Sequence, residues 1–285
     1  MLMAVVTAVL VMGVLGLLTS GGLLIAARKF YVFEDPRIER IEDLLPGANC
    51  GACGLPGCRA YSEALVLQGR EAACPAANAN TMTAIGEVLG KALDAAAPIK
   101  AALLCAGTDA VAKTRGIYEG LHDCRAAHLL GLAEKICPYG CMGLGTCIAA
   151  CPFDAIVEKD GIIQVLPDVC TGCGNCVEAC PRSLLQMIPE GHQVLVACAS
   201  HDGAKKVKAY CSVGCVSCQA CIHKSIKGKV RGCPHDAIRF EDGLAVIDHE
   251  ACTQCWECVA MCRTDTIVHV QVEPGEDGEL GVDVA

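Results

Sequence analysis

The sequence predicts an α+β chain in which one N-terminal transmembrane helix precedes a small cysteine-rich domain and two tandem domains related by a repeat. Three observations predict it. Residues 1–27 carry no charge, and the apolar run ends at Arg28 and Lys29. Cysteine fills 24 of the 285 positions, about 8%, much of it in C-x-x-C runs followed by proline. The cysteines of the second half recur at fixed shifts. Hydrophobic residues make up 53% of the chain but aromatic ones only 4%, so the domains behind the first segment have few large side chains for a core. Cysteine-bound groups must supply what is missing. Tight runs in a chain this long point to metal clusters and not to a secreted disulfide scaffold. A formal net charge of −9 argues against a nucleic-acid partner.

Residues 1–29 read as a membrane anchor, since about 20 apolar residues span a bilayer as a helix. Gly13, Gly16, Gly21 and Gly22 are tolerated in such spans and help helices pack closely. A secretory signal would carry a basic first region and a small-x-small cleavage site; neither is present. Arg28 and Lys29 follow the span, so the positive-inside rule places the rest of a single-pass cell-membrane protein in the cytoplasm. That reducing compartment keeps thiols available as ligands.

Residues 30–98 hold a charged linker and then a cysteine group. Ile38, Ile41, Leu44 and Leu45 make a short helical pattern, and residues 76–97 an Ala-rich one. Cys50, Cys53, Cys58 and Cys74 close one site by themselves, with Gly51, Gly54 and Gly57 supplying turns. They read as a single 4Fe-4S domain, a zinc knuckle being the rival. Residues 99–136 are expected to connect, with a strand from Ile99 to Cys105 and a helix from Leu121 to Ile136. His122 and His128 read as surface or cap residues.

The two repeats follow as ferredoxin-like domains, 137–190 and 191–272. Cys151, Cys170, Cys173, Cys176 and Cys180 recur 82 residues on as Cys233, Cys252, Cys255, Cys258 and Cys262. Cys137, Cys141 and Cys147 recur 74 residues on as Cys211, Cys215 and Cys221. The second copy is therefore eight residues longer between Cys221 and Cys233. Cys170, Cys173, Cys176 and Cys180, with Pro181, form a full C-x2-C-x2-C-x3-C-P run. In two-cluster ferredoxins three cysteines of such a run hold one 4Fe-4S cluster and the fourth reaches the other. The reading thus gives Cys137, Cys141, Cys147 and Cys180 one cluster, and Cys151, Cys170, Cys173 and Cys176 the next. Cys233, Cys252, Cys255 and Cys258 take another, although Arg263 replaces the proline after Cys262. For the last, the repeat shift favours Cys211, Cys215 and Cys221, and the commoner spacing Cys215, Cys218 and Cys221. The commoner spacing is preferred, with Cys262 as fourth ligand and Cys211 as the alternative. Leu144 stands where a counterpart of Cys218 would be. Five 4Fe-4S clusters result. Cys105, Cys124 and Cys198 are left over and read as buried structural thiols. Trp256, between two ligand cysteines, reads as a shield against water. Residues 273–285 form an acidic, Gly-rich tail expected to be disordered.

No G-x-G-x-x-G opens a helix after a strand, and there is no Walker A loop or nucleophile elbow, so no nicotinamide, flavin or organic-substrate site of those kinds is expected. Lys205, Lys206 and Lys208, then Lys224, Lys227, Lys229 and Arg231, form a basic patch on this acidic chain, which reads as a solvated loop, a contact to a sister subunit or a place for an acidic donor to dock.

The order of these parts resembles the B subunit of the Rnf complex, the membrane-bound ion-pumping ferredoxin:NAD oxidoreductase. The resemblance rests on Asn49-Cys50-Gly51-Ala52-Cys53-Gly54-Leu55-Pro56-Gly57-Cys58, on Tyr118-Glu119-Gly120-Leu121-His122-Asp123-Cys124, on Cys137-Pro138-Tyr139-Gly140-Cys141 and on the ferredoxin repeats. It implies electron entry from reduced soluble ferredoxin, single-electron hops through the clusters, and delivery to other subunits, some flavin-bearing and one NAD-reducing. Without the resemblance the residues imply a membrane-anchored polyferredoxin. An electron-transfer subunit of a hydrogenase or formate-oxidising complex, and a zinc-bound scaffold, are the other readings.

Overall fold

The structure, a computed structural model, describes residues 2–30, 33–71, 73–93, 95, 97–131, 133–222, 224–226 and 229–269. The expected tail and Lys227 lie outside the described residues.

Helix α1 (Leu2–Lys29) contains a 21-residue stretch from Val9 to Lys29 long and apolar enough to cross a membrane. Its large side chains, Leu15, Leu18 and Leu24 among them, stand exposed, as they do on a helix that is apolar all round and meets lipid. The hydroxyls of Thr19 and Ser20 donate back to the carbonyls of Leu15 (3.0 Å) and Gly16 (2.6 Å), so neither is left unpaired in an apolar medium.

Three helices build the next domain: α2 (Pro36–Leu44), α3 (Cys58–Leu67) and α4 (Ala79–Leu89). Asp35 caps α2 by accepting from the Arg37 N–H, and Asn78 caps α4 by accepting from the Thr81 N–H. Ile41, Tyr61, Leu65, Met82 and Ile85 form its core.

The remaining chain folds as two like units. In the first, β1 (Ile99–Leu103) pairs antiparallel with β4 (Leu185–Pro189). Between them come α5 (Cys124–Leu130), α6 (Thr146–Ala149), the hairpin of β2 (Ile156–Lys159) and β3 (Ile162–Val165), and α7 (Asn175–Ala179). In the second, β5 (Val194–Val196) pairs with β10 (Ile267–His269). They enclose α8 (Ala204–Tyr210), a hairpin of β6 (Lys224–Ile226) and β7 (Lys229–Arg231), a hairpin of β8 (Ile238–Glu241) and β9 (Leu244–Ile247), and α9 (Glu257–Met261). The β6–β7 hairpin occupies the eight-residue excess.

Two differences from the sequence reading matter. Residues 99–136 do not stand apart, because β1 completes the sheet of the first unit. The helix expected from Leu121 to Ile136 is only seven residues, capped by Asp123 and stopped by Gly131 in the left-handed region (φ 64°). The two units are joined by a shared core of Ala102, Ala106 and Ile188 with Leu195, Ala197 and Val268. An Ala106 N–H to Ala197 carbonyl bond of 3.0 Å runs across the junction.

Candidate metal centres

Cysteine is part of the core of both units. Cys141, Cys147 and Cys176 are buried with Ile156, Ile163 and Leu184 in the first; Cys221, Cys233 and Cys258 with Val194, Ile238 and Ile267 in the second. The thiols gather in fours.

In the helical domain Cys50, Cys53, Cys58 and Cys74 line one cavity beneath Tyr61. The loop is held by Asn49, whose Oδ1 accepts from the Cys58 N–H at 2.8 Å. Gly57 (φ 132°) passes so near that a Cβ there would stand 2.7 Å from the same oxygen.

In the first unit Cys151, Cys170, Cys173 and Cys176 belong together: burial, and then Cys170, Cys173 and Cys151, push the Cys176 thiol up to about 11. The companion cavity differs from the reading. Cys124, Cys141, Cys147 and Cys180 line it, and Cys137 does not. Burial, and then Cys141, Cys124 and Cys180, push the Cys147 thiol up to about 12. The cause is α5: the Cys124 N–H donates to Thr146 Oγ1 at 2.6 Å, which fixes the start of α5 against the start of α6 and brings Cys124 beside Cys147. Leu144 packs against the same small core as Cys124.

In the second unit Cys215, Cys218, Cys221 and Cys262 line one cavity. Cys233, Cys252 and Cys255 are the neighbours that, after burial, raise the Cys258 thiol to about 11. Cys211 is elsewhere. It lines a further cavity with Cys105, Cys137 and Cys198, so none of the thiols left over by the sequence reading is isolated. Trp256 sits half-buried against the core of the second unit.

Backbone geometry repeats with the thiols. The N–H four residues after Cys151, Cys180 and Cys262 donates to that cysteine's sulfur, at 3.4, 3.4 and 3.3 Å. Burial raises the Cys262 thiol, but the N–H groups of Thr264, Ile267 and Thr266 outweigh it and lower its pKa. Gly172 and Gly174, between the first unit's ligand thiols, have φ of 72° and 82°; Gln254 and Trp256 take the same left-handed turn at 56° and 66°. The shape is thus kept even where a side chain opposes it. At Gly172 a Cβ would meet the Ile99 carbonyl oxygen at 2.3 Å.

Such donors fit a cluster and not one ion. Thiolates suit zinc and iron–sulfur groups alike. Yet among the described residues no three Cys, His, Asp or Glu side chains converge closely enough for a single ion, whereas four thiols line each of four cavities. Backbone N–H groups aimed at sulfur are the surroundings that tune iron–sulfur potentials. A further cavity of about 250 Å³ is an apolar cleft among β1, β3, β4 and β5 bordered by one thiol, Cys105.

Residues 45–76 match the FeS family, described as an Fe-S cluster, and residues 133–181 match the 4Fe-4S dicluster domain family. Fold and donors together define an iron–sulfur protein of several clusters, with an N-terminal helix long and apolar enough to cross a membrane. Among curated relatives, the B subunit of the Na(+)-translocating ferredoxin:NAD(+) oxidoreductase complex of Acetobacterium woodii is 43% identical over 94% of this chain and 78% of its own length. The B subunit of the ion-translocating oxidoreductase complex of Methanosarcina acetivorans is 39% identical, covering 92% of this chain and 97% of its own. A proton-translocating counterpart from Clostridium ljungdahlii is 38% identical over 92% of each. The chain belongs to this family, the B subunits of the Rnf ion-translocating oxidoreductase complexes.

Proposed function

We propose that this chain is the port through which reduced soluble ferredoxin feeds single electrons into its complex. They pass cluster by cluster toward the membrane-side domain and on to flavin-bearing and NAD-reducing subunits. The observation that carries the reading is the succession of four-thiol groups from the second unit to the helical domain. Cys50 lies near enough to Cys173 that, after burial, it is among the charges raising that thiol, so the helical domain's quartet neighbours a quartet of the first unit. Five 4Fe-4S clusters would be held by the quartets of Cys50, Cys124, Cys151, Cys215 and Cys233. Each supplies a one-electron change without making or breaking a bond.

Mixing the purified chain with reduced ferredoxin is expected to bleach its visible absorption. An unbleached protein that dithionite does reduce would remove ferredoxin as donor.

The donor would dock at the basic patch. Lys205, Lys206 and Lys208 are exposed on α8. Lys224, Lys229 and Arg231 lie on the β6–β7 hairpin, which leaves from Cys221 and returns to Cys233; a Cys233 N–H to Cys221 carbonyl bond of 2.8 Å closes its root. The hairpin therefore springs from between a thiol of the Cys215 quartet and a thiol of the Cys233 quartet. Changing Lys224, Lys227 and Lys229 to Glu is expected to slow reduction by ferredoxin about 10-fold or more at low salt and to converge with the parent at high salt. Equal rates at every ionic strength would rule the docking site out.

Arg28 and Lys29 orient the span. A reporter fused after residue 40 is expected to read cytoplasmic; a periplasmic readout would place the thiols on the wrong side for a cytosolic donor.

A further inference from the structure

We infer that Cys105, Cys137, Cys198 and Cys211 hold a sixth 4Fe-4S cluster, which joins the two ferredoxin-like units electrically. Its carrying role rests on the electron-transfer reading above; its presence does not.

The four thiols come from four separate segments and line one cavity. Two belong to each unit, in matching places. Cys105 follows β1 and Cys198 follows β5, in the like strings Cys105-Ala106-Gly107-Thr108-Asp109 and Cys198-Ala199-Ser200-His201-Asp202. Cys137 and Cys211 each precede a ligand thiol by four residues. The cavity therefore sits on the junction between the repeats, with two thiols from matching places in each.

Buried structural thiols would not need what surrounds these. Every one of the four receives backbone N–H groups. Cys105 Sγ accepts from Gly107 and from Cys141, both at 3.4 Å. Cys198 Sγ accepts from Ser200 at 3.4 Å and also from Cys215. Cys137 accepts from Tyr139 and Gly140, and Cys211 from Val213 and Gly214. N–H groups aimed at sulfur in that number are the surroundings that orient cluster ligands and tune their potential. Space is kept as well. A Cβ at Gly140 would stand 3.5 Å from Cys137 Sγ and 3.6 Å from Cys105 Sγ; one at Gly107, 3.4 Å from Cys105 Sγ and 3.9 Å from Cys211 Sγ.

One buried cation, Lys135, and one half-buried, Arg182, offset the negative charge that four thiolates would bring. Lys135 lines the cavity, its side chain only 4% exposed, donating to the Gly161 carbonyl at 2.6 Å with Asp109 3.6 Å away. Arg182 stands between this cavity and the Cys124 cavity. It lines the latter, and donates to the Cys137 and Gly140 carbonyls of the former. Its Nε is buried with no partner among the described residues.

The position explains the role. The N–H that bonds Cys105 belongs to Cys141, a thiol of the first unit's quartet. The N–H that bonds Cys198 belongs to Cys215, a thiol of the second unit's quartet. The site thus touches a quartet on each side through one hydrogen bond. Held there, such a group would supply a one-electron carrier between the Cys215 and Cys141 quartets, the first oxidised and the second reduced by the same electron, with no proton moved and no bond changed.

The test is iron, sulfide and zinc per anaerobically purified chain, with the number of one-electron equivalents taken up in a dithionite titration. About 24 irons and six equivalents are expected for six clusters. About 20 irons and five equivalents, with or without one zinc, would overturn the proposal. A Cys105→Ser, Cys211→Ser variant is expected to lose about four irons and one equivalent, keeping the spectra of the other five. A variant with the parent's iron content would also overturn it. These readouts do not depend on the donor's identity, so ferredoxin could fail as donor while they succeed.

Discussion

Removing the iron is expected to unfold residues 99–269 and to leave the α2–α4 domain largely helical. The two parts differ in what fills them. The helical domain has a core of Ile41, Tyr61, Leu65, Met82 and Ile85 around its single quartet. The ferredoxin-like units have helices of four or five residues in α6, α7 and α9, too short to persist alone. Their two-stranded sheets are marginal in water. Their cores are shared between small apolar side chains and thiols, so emptying the quartets leaves holes where the centre was. For metal-folded domains the binding free energy is the folding free energy, about 10 kcal/mol or more per site in zinc peptides. Circular dichroism and limited proteolysis before and after anaerobic chelation would measure it. Cleavage within 99–269 that appears on chelation and vanishes on reconstitution is the expected result. Units that stay protected without iron would show that the thiols are ordinary packing.

Cys124→Ala is expected to lose about one to four irons per chain and to interrupt electron flow through the first unit. The same change at a structural thiol would cost stability alone. Leu144 makes the test specific. It occupies the position that Cys218 holds in the second unit, and it packs beside Cys124. Adding Leu144→Cys to Cys124→Ala is therefore expected to restore the iron and the electron flow by moving the ligand to the repeat's other place. Unchanged iron in Cys124→Ala would return Cys124 to the core and leave that quartet a member short.

The C-x-x-C runs were legible because their members sit within one or two turns of chain, where spacing nearly dictates proximity. So was the repeat, and with it the exchange of Cys180 and Cys262 between sites. Cys124 was not. It lies 17 residues before Cys141, and only the Asp123 cap, the Gly131 stop and the Thr146 bond bring it to the Cys147 cavity. The helix read from Leu121 to Ile136 hid this, because the apolar pattern continues past a glycine that turns the chain. Cys105 and Cys198 were harder still, since each meets its partners through the pairing of strands distant in sequence. One signal was present: Cys-Ala-small-x-Asp follows an apolar strand in both copies.

Cys105 and Cys137 reach their cavity from one unit, Cys198 and Cys211 from the other, so neither unit can be matured by itself. During synthesis the N-terminal unit folds first and would wait with two bare thiols beside the cations Lys135 and Arg182. Until Cys211 emerges, those thiols are open to oxidation. A chain cut after residue 190 would forfeit three clusters, not two, and carry a stranded half-site. Loading order therefore follows the chain: the middle link waits for Cys211, after the first unit's quartets are complete at Cys180 and before the second unit's, which wait for Cys258 and Cys262.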